Sequence, residues 1–181
     1  MTAPLQETTL YAKLADGSLA GTWTLDPARS TVALKSKSMW GLVSVKGTFT
    51  KVEGTGIVSP TGEVTGQITV ATGSLDTKNA RRDTHLRSKD FFLAEEYPAI
   101  TFTLNKVTPT GDGVNVEGTL TVRDRGNPIT FTSTAAPDAD GAVALDATVE
   151  VDRSQYGLTW NMLGMTSMSS TITIHAVFTR A

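Results

Sequence analysis

The densest grouping of reactive side chains in the sequence is Arg81-Arg82-Asp83-Thr84-His85. A histidine close to a carboxylate is the minimum kit for an oriented general base, and the adjoining guanidinium groups suit a polar head-group. The same residues equally make a hydrogen-bonded cluster at the end of a helix, so their types leave both readings open. The second histidine, His175, alternates with Ile174 and Ala176 and so belongs to the polar, outward register. The chain has no cysteine, which excludes thiolate nucleophiles, thiolate metal centres and disulfides. Two separated histidines leave only carboxylates to hold a metal. There is no Gly-x-Ser-x-Gly elbow, phosphate loop or dinucleotide fingerprint, and Glu53-Gly54-Thr55-Gly56 reads as a turn. The expectation is no catalytic constellation, no metal and no cofactor.

Composition narrows the partners. The 181 residues fit one domain, 39% hydrophobic and 19% charged, with a net charge of −2. No block of like charge marks a nucleic-acid or anionic-membrane footprint. The opening Met1-Thr-Ala-Pro-Leu-Gln-Glu has neither a basic region nor an apolar run, so the sequence predicts a cytoplasmic protein without stable membrane insertion. Residues 1–20 read as an N-terminal extension and 21–181 as a single domain.

The elements that must position these groups are strands. Apolar residues alternate with polar ones in Val32/Leu34, Val43/Val45/Phe49, Ile68/Val70 and Ile100/Phe102/Leu104. The pattern continues through Val114–Val122 around Gly118, then Ile129/Phe131, Val143–Val151 and Ile172–Phe178. Turn residues separate the runs at 60–62, 110–113, 125–128 and 137–141. The fold class is therefore all-β: about eight antiparallel strands in a meander, which closes into a barrel because closure removes its unpaired edges. One segment lacks alternation. Asp76 or Thr77 can cap a short helix at about 77–87, followed by an aromatic plug at Phe91 and Phe92, and Pro98 starts the next strand.

A second anomaly is the uncharged connection holding Tyr156, Leu158, Trp160, Met162, Leu163, Met165 and Met168. Either it packs over the barrel wall or it gives an adaptable apolar lining to a ligand. Hollow and filled barrels share the same alternation, so the interior stays open at this point.

The run from Arg82 to Phe92 followed by Tyr97-Pro98-Ala99-Ile100-Thr101-Phe102 resembles the signature of the YceI-like family of polyisoprenoid-binding proteins. Trp23–Pro27 with Ser30–Val32, Val45–Phe49, Gly118–Arg123 and Val151–Leu158 resemble four further family motifs in order. The chain departs at Arg29, where the family commonly has histidine, and at Asp124–Pro128. The resemblance implies a lipocalin-like barrel, often homodimeric, that carries or sequesters an isoprenoid, quinone or fatty-acyl chain. The apolar wall would then comprise Val32, Leu34, Trp40, Val43, Val45, Phe49, Ile68, Val70, Ile100, Phe102 and Leu104. Phe91, Phe92, Trp160, Met162 and Met165 would complete it. Arg81, Arg82, Asp83, His85 and Arg153 would form a polar mouth. Two rivals remain: an enzyme using the barrel as a reaction chamber, and a structural or partner-binding barrel without ligand.

Overall fold

The alternating segments form strands that join into one antiparallel sheet, β1 (Gly21–Leu25), β2 (Thr31–Ser38), β3 (Val43–Phe49), β4 (Val52–Val58), β5 (Val64–Ala71), β6 (Leu75–Asp76), β7 (Ala99–Pro109), β8 (Val114–Val122), β9 (Arg125–Pro137), β10 (Val143–Asp152) and β11 (Ser169–Arg180). The computed structural model describes residues 12–110 and 113–181, with the side chain of Met162 outside the description. The eleven strands are eight staves, because three staves are interrupted. β1 and β2 both pair with β11, at Trp23–Leu25 and Thr31–Ser36 respectively. β4 and β3 follow on their other side, and β6 extends the β5 stave onto β3. Thereafter β5–β7–β8–β9–β10–β11 is an unbroken meander, and β11 returning to β1 closes it.

The interruptions are held by side chains. Asp26 Oδ1 accepts the Ala28 N–H while its Oδ2 accepts from Arg29 Nε at 2.8 Å, and that guanidinium holds the Asp26 carboxyl below the usual carboxylate range. Arg29 also reaches Asp138 at 3.6 Å. The residue in the place of a family histidine therefore ties the first stave to the β9–β10 connection.

The expected helix is real but shorter. It is α1 (Ala80–Arg87), capped by Asn79, whose side chain accepts the Arg82 N–H. Asp76 and Thr77 do not cap it: Asp76 closes a turn onto the Lys78 N–H, Lys78 has φ 62°, and Thr77 hydrogen-bonds Asp83. Two turn assignments also fail. Residues 53–56 lie inside β4, and β9 already begins at Arg125, so the β8–β9 turn is Arg123-Asp124. Gly111 and Asp112 of the expected turn at 110–113 lie outside the described residues.

Those strand glycines shape the interior. Gly56 pairs with Gly66, Gly66 with Leu104, and Leu104 with Gly118, a band crossing four staves. At Gly118 the Phe102 ring occupies the side-chain space, since a Cβ there would stand 2.3 Å from Phe102 Cζ and 2.5 Å from the Thr103 carbonyl oxygen. Gly118→Ala should therefore cost about 2–3 kcal/mol through overpacking, read as a lowered midpoint in chemical denaturation. An unchanged midpoint would show that Phe102 does not rest on this glycine.

Candidate ligand cavity

The inward residues enclose a cavity of about 520 Å³. Its wall begins at Leu14, Leu19, Val64 and Pro109 at one end of the barrel and reaches His85, Phe91, Trp160 and Thr166 at the other. The hollow has a local cause. Gly56, Gly66, Ser133, Ala135 and Ala147 all stand in the wall and put almost no volume into the interior.

Most of the expected wall is in place. Val32, Leu34, Val45, Phe49, Ile68, Val70, Ile100, Phe102 and Leu104 line the cavity, with Phe91, Phe92 and Trp160 at its α1 end. Trp40 and Val43 do not, because the first hairpin overshoots the barrel: Trp40 is 66% exposed and Val43 46%. Val43 keeps the inward register but has no opposite wall to face. Met165 lies outside the wall, partly buried, its carbonyl accepting the Trp40 N–H at 3.0 Å. The side chain of Met162 lies outside the described residues. The 153–168 connection thus offers Arg153, Tyr156, Leu158, Trp160 and Thr166 to the wall.

The polar set divides. Arg82, His85 and Arg153 stand in the wall, Arg81 is exposed, and Asp83 is buried away from the cavity. Asp83 accepts from the Thr77 N–H and hydroxyl, while Arg82 donates to the Thr77 hydroxyl at 2.9 Å and carbonyl at 2.8 Å. Thr77 is thus the knot that fastens α1 to β6. The carboxylate partner of His85 is Asp90, with Nε2 3.0 Å from Oδ2, and not its helix neighbour Asp83. The imidazole meets Trp160 edge-on at 4.5 Å between centroids and Phe91 at 5.2 Å, so one cluster joins α1, the aromatic plug and the 153–168 connection. His175 is on the outside, 2.6 Å from Asp146.

Arg153 is the organiser of that connection. It is 7% exposed, and its guanidinium donates to the carbonyls of Leu158 at 2.6 Å, Trp160 at 2.9 Å and Ser167 at 2.9 Å, with Thr166 at 3.5 Å. It also lies 5.7 Å above the Phe91 ring. Burial draws its pKa below the usual value, opposed by Asp152, yet guanidinium remains charged at neutral pH. Its hydrogen bonds all go to backbone carbonyls, and among the described residues it forms no salt bridge, Asp152 acting only from a distance.

Two other features of the wall gave little warning in the sequence. Leu14 and Leu19 lie in the weakly patterned extension, yet they complete the far end of the wall, where Trp23 Nε1 donates to the Leu19 carbonyl at 2.9 Å. Tyr156 is 2% exposed and its hydroxyl has no hydrogen-bond partner among the described residues. Burial pushes its pKa up, opposed by the neighbouring Asn127 side chain, which itself donates to the Gln155 carbonyl. An orphaned phenol beside an apolar cavity is a signal that alternation does not carry.

Comparison with known proteins matches this geometry. The model of the YceI-like domain matches residues 23–179, which spans all the staves. The chain belongs to the YceI-like family. A Staphylococcus aureus relative, UPF0312 protein SAB2563, is 30% identical over 147 residues, 77% of this chain and 83% of that one. Protein YceI of Escherichia coli O157:H7 is 42% identical over 64 residues, 35% of this chain and 34% of its own length, so the match spans about a third of that relative. Among solved structures, Burkholderia cenocepacia BcnA superposes with a TM-score of 0.77 at 25% identity, covering 84% of this chain and 98% of BcnA. A polyisoprenoid binding domain from Saccharophagus degradans shares the fold, with a TM-score of 0.70 at 15% identity over 88% of this chain and 98% of that one. The fold is a closed antiparallel barrel of eight staves with the short helix α1 at its end. Among the described residues no helix is long and apolar enough to cross a membrane.

Arg153→Met keeps the length of the side chain but leaves four carbonyls without their donor. It should cost about 3–5 kcal/mol and loosen the 153–168 connection, read as faster amide exchange there. Parent-like exchange and stability would show that the connection holds itself.

Proposed function

We propose that the barrel binds one elongated apolar molecule and carries or sequesters it, without transforming it. The observation that supports this reading most is the cavity of about 520 Å³ behind an almost wholly apolar wall, within the roughly 300–1,000 Å³ typical of small-molecule sites. Burial of each methylene contributes about 0.8 kcal/mol, so an isoprenoid, quinone or fatty-acyl chain needs few polar contacts. The kinship with a polyisoprenoid binding domain of the same fold points to the same ligand class. A ligand oxygen would find a donor in the orphaned Tyr156 hydroxyl. His85, held by Asp90 and two aromatic rings, serves in this reading to fix the end of the chamber. No metal or other cofactor takes part.

The test fills the chamber. Ala147 stands in the wall between Val149 and Leu145, and Ala147→Phe would project an aromatic ring into the hollow. With the fold retained by circular dichroism, affinity for a fluorescent fatty-acyl probe should fall at least tenfold, about 1.4 kcal/mol or more. Undiminished affinity would place the ligand elsewhere and remove the reading.

A further inference from the structure

The three large apolar side chains most exposed to solvent gather at one end of the barrel, whereas Ile57, 56% exposed, stands apart on β4. Trp40 is 66% exposed, Leu42 84% and Leu163 80%, with Met39 at 44% and Val43 at 46% beside them. They come from two loops, the β2–β3 hairpin tip and the β10–β11 connection, which follow one another around the rim because β11 pairs with β2. The loops are stitched by backbone hydrogen bonds, Trp40 N–H to the Met165 carbonyl at 3.0 Å and Ser167 N–H to the Lys37 carbonyl at 2.9 Å. Met39, Trp40 and Leu163 hold φ of 52–53°, a left-handed conformation that non-glycine residues rarely adopt. Strained backbone that presents large apolar groups to water is a cost with no return in the isolated barrel.

Charge is distributed just as unevenly. From Pro27 to Val52 the chain carries Arg29, Lys35, Lys37, Lys46 and Lys51 with no aspartate or glutamate, and from Arg153 to Ala181 it again has no acid. The net charge of −2 conceals this segregation. Lys35 and Lys46 face one another across the β2–β3 ladder, an unfavourable like-charge pairing. Lys35, Lys37 and Lys46 are all exposed, and none makes a salt bridge among the described residues. The acids of this end lie outside the β2–β3 hairpin. Glu95, Glu96 and Asp124 belong to the connections that serve β7, β8 and β9, while Asp76 is paired with Lys78, Asp83 with Thr77, Asp90 with His85, and Asp152, at the end of β10, accepts from Ser154.

From this apolar tip with its basic flank we infer that this end of the barrel docks on an anionic phospholipid surface. Trp40, Leu42 and Leu163 enter the interfacial layer, and the hairpin lysines meet lipid phosphates. Trp suits that layer because its ring is apolar and its N–H polar. The cavity wall extends to Lys37 and Ser38 at the end of β2 and to Thr166 in the β10–β11 connection, so docking sets the lining against the bilayer. The chamber reading gives docking its purpose, but the surface is argued and tested without any chamber ligand.

The experiment incubates ligand-free protein with phosphatidylcholine vesicles with or without phosphatidylglycerol, read by co-sedimentation and by tryptophan emission. Binding should require phosphatidylglycerol, shift emission to the blue and weaken with salt. Trp40→Ser/Leu42→Ser/Leu163→Ser should cut binding at least tenfold, and Lys35→Ser/Lys37→Ser/Lys46→Ser should remove the salt-dependent part, both with parental melting. Ala147→Phe should bind vesicles like the parent, which separates this inference from the chamber reading. Absence of binding at low salt, or binding indifferent to both triple variants, overturns the inference. A dimer in light scattering that the apolar triple variant dissolves, with no vesicle binding, overturns it in favour of a self-association face.

Discussion

β11 accepts partners along most of its length on both sides, β10 over Ser169–Phe178 on one and the broken β1–β2 stave over Ser170–His175 and Phe178–Arg180 on the other. This double pairing closes the sheet, and much else follows from closure. Closure leaves little free edge, so most backbone groups are satisfied by neighbouring staves; the exception is the β9–β10 seam, which pairs only over Thr134–Pro137 and Val143–Asp146. Every second residue must then point into a shared interior, whatever that interior holds. Side-chain volume decides whether the interior is packed or hollow. Here the inward glycines and alanines of β4, β5, β9 and β10 leave a chamber where larger residues would have made a core.

Closure also creates two ends that need separate solutions. At one end Leu14 and Leu19 join the wall. At the other, α1, the Phe91–Phe92 plug and the 153–168 connection converge, and two polar hubs hold them. Thr77 ties Arg82 and Asp83 to β6, while Arg153 gathers carbonyls from its own connection and covers Phe91. The two hubs are bridged by His85, which reaches Asp90, Phe91 and Trp160 at once. Groups that look catalytic in a list of residue types are thus largely engaged in architecture.

The barrel was legible because period-two alternation is a local pattern, and inward Val, Ile, Leu and Phe positions follow from it directly. The overshoot of the first hairpin was not, since Val43 keeps perfect alternation while lying beyond the opposite wall. From sequence the β4 glycines read as a turn because glycine marks both turns and thin-walled strands, and only pairing with Gly66 separates the two. Helix α1 began later than its propensities suggest, because Thr77 was claimed by a tertiary hydrogen bond. The partner of His85 escaped because proximity in sequence favoured Asp83, whereas the helix turn carries Asp83 toward β6. Basic segregation was hidden by a near-neutral total. The Tyr156 hydroxyl is invisible without coordinates, for burial and the absence of a partner are properties of the assembled fold.

The central claim is that the chamber is occupied by an apolar molecule in the protein's working state. Native mass spectrometry of the protein purified under non-denaturing conditions, with extraction and identification of any released lipid, tests it most directly. The account predicts a mass above that of the bare chain by one discrete increment, lost on denaturation and recovered as an isoprenoid, quinone or fatty-acyl species. A bare-chain mass with no extractable lipid, persisting after incubation with such lipids, would contradict it.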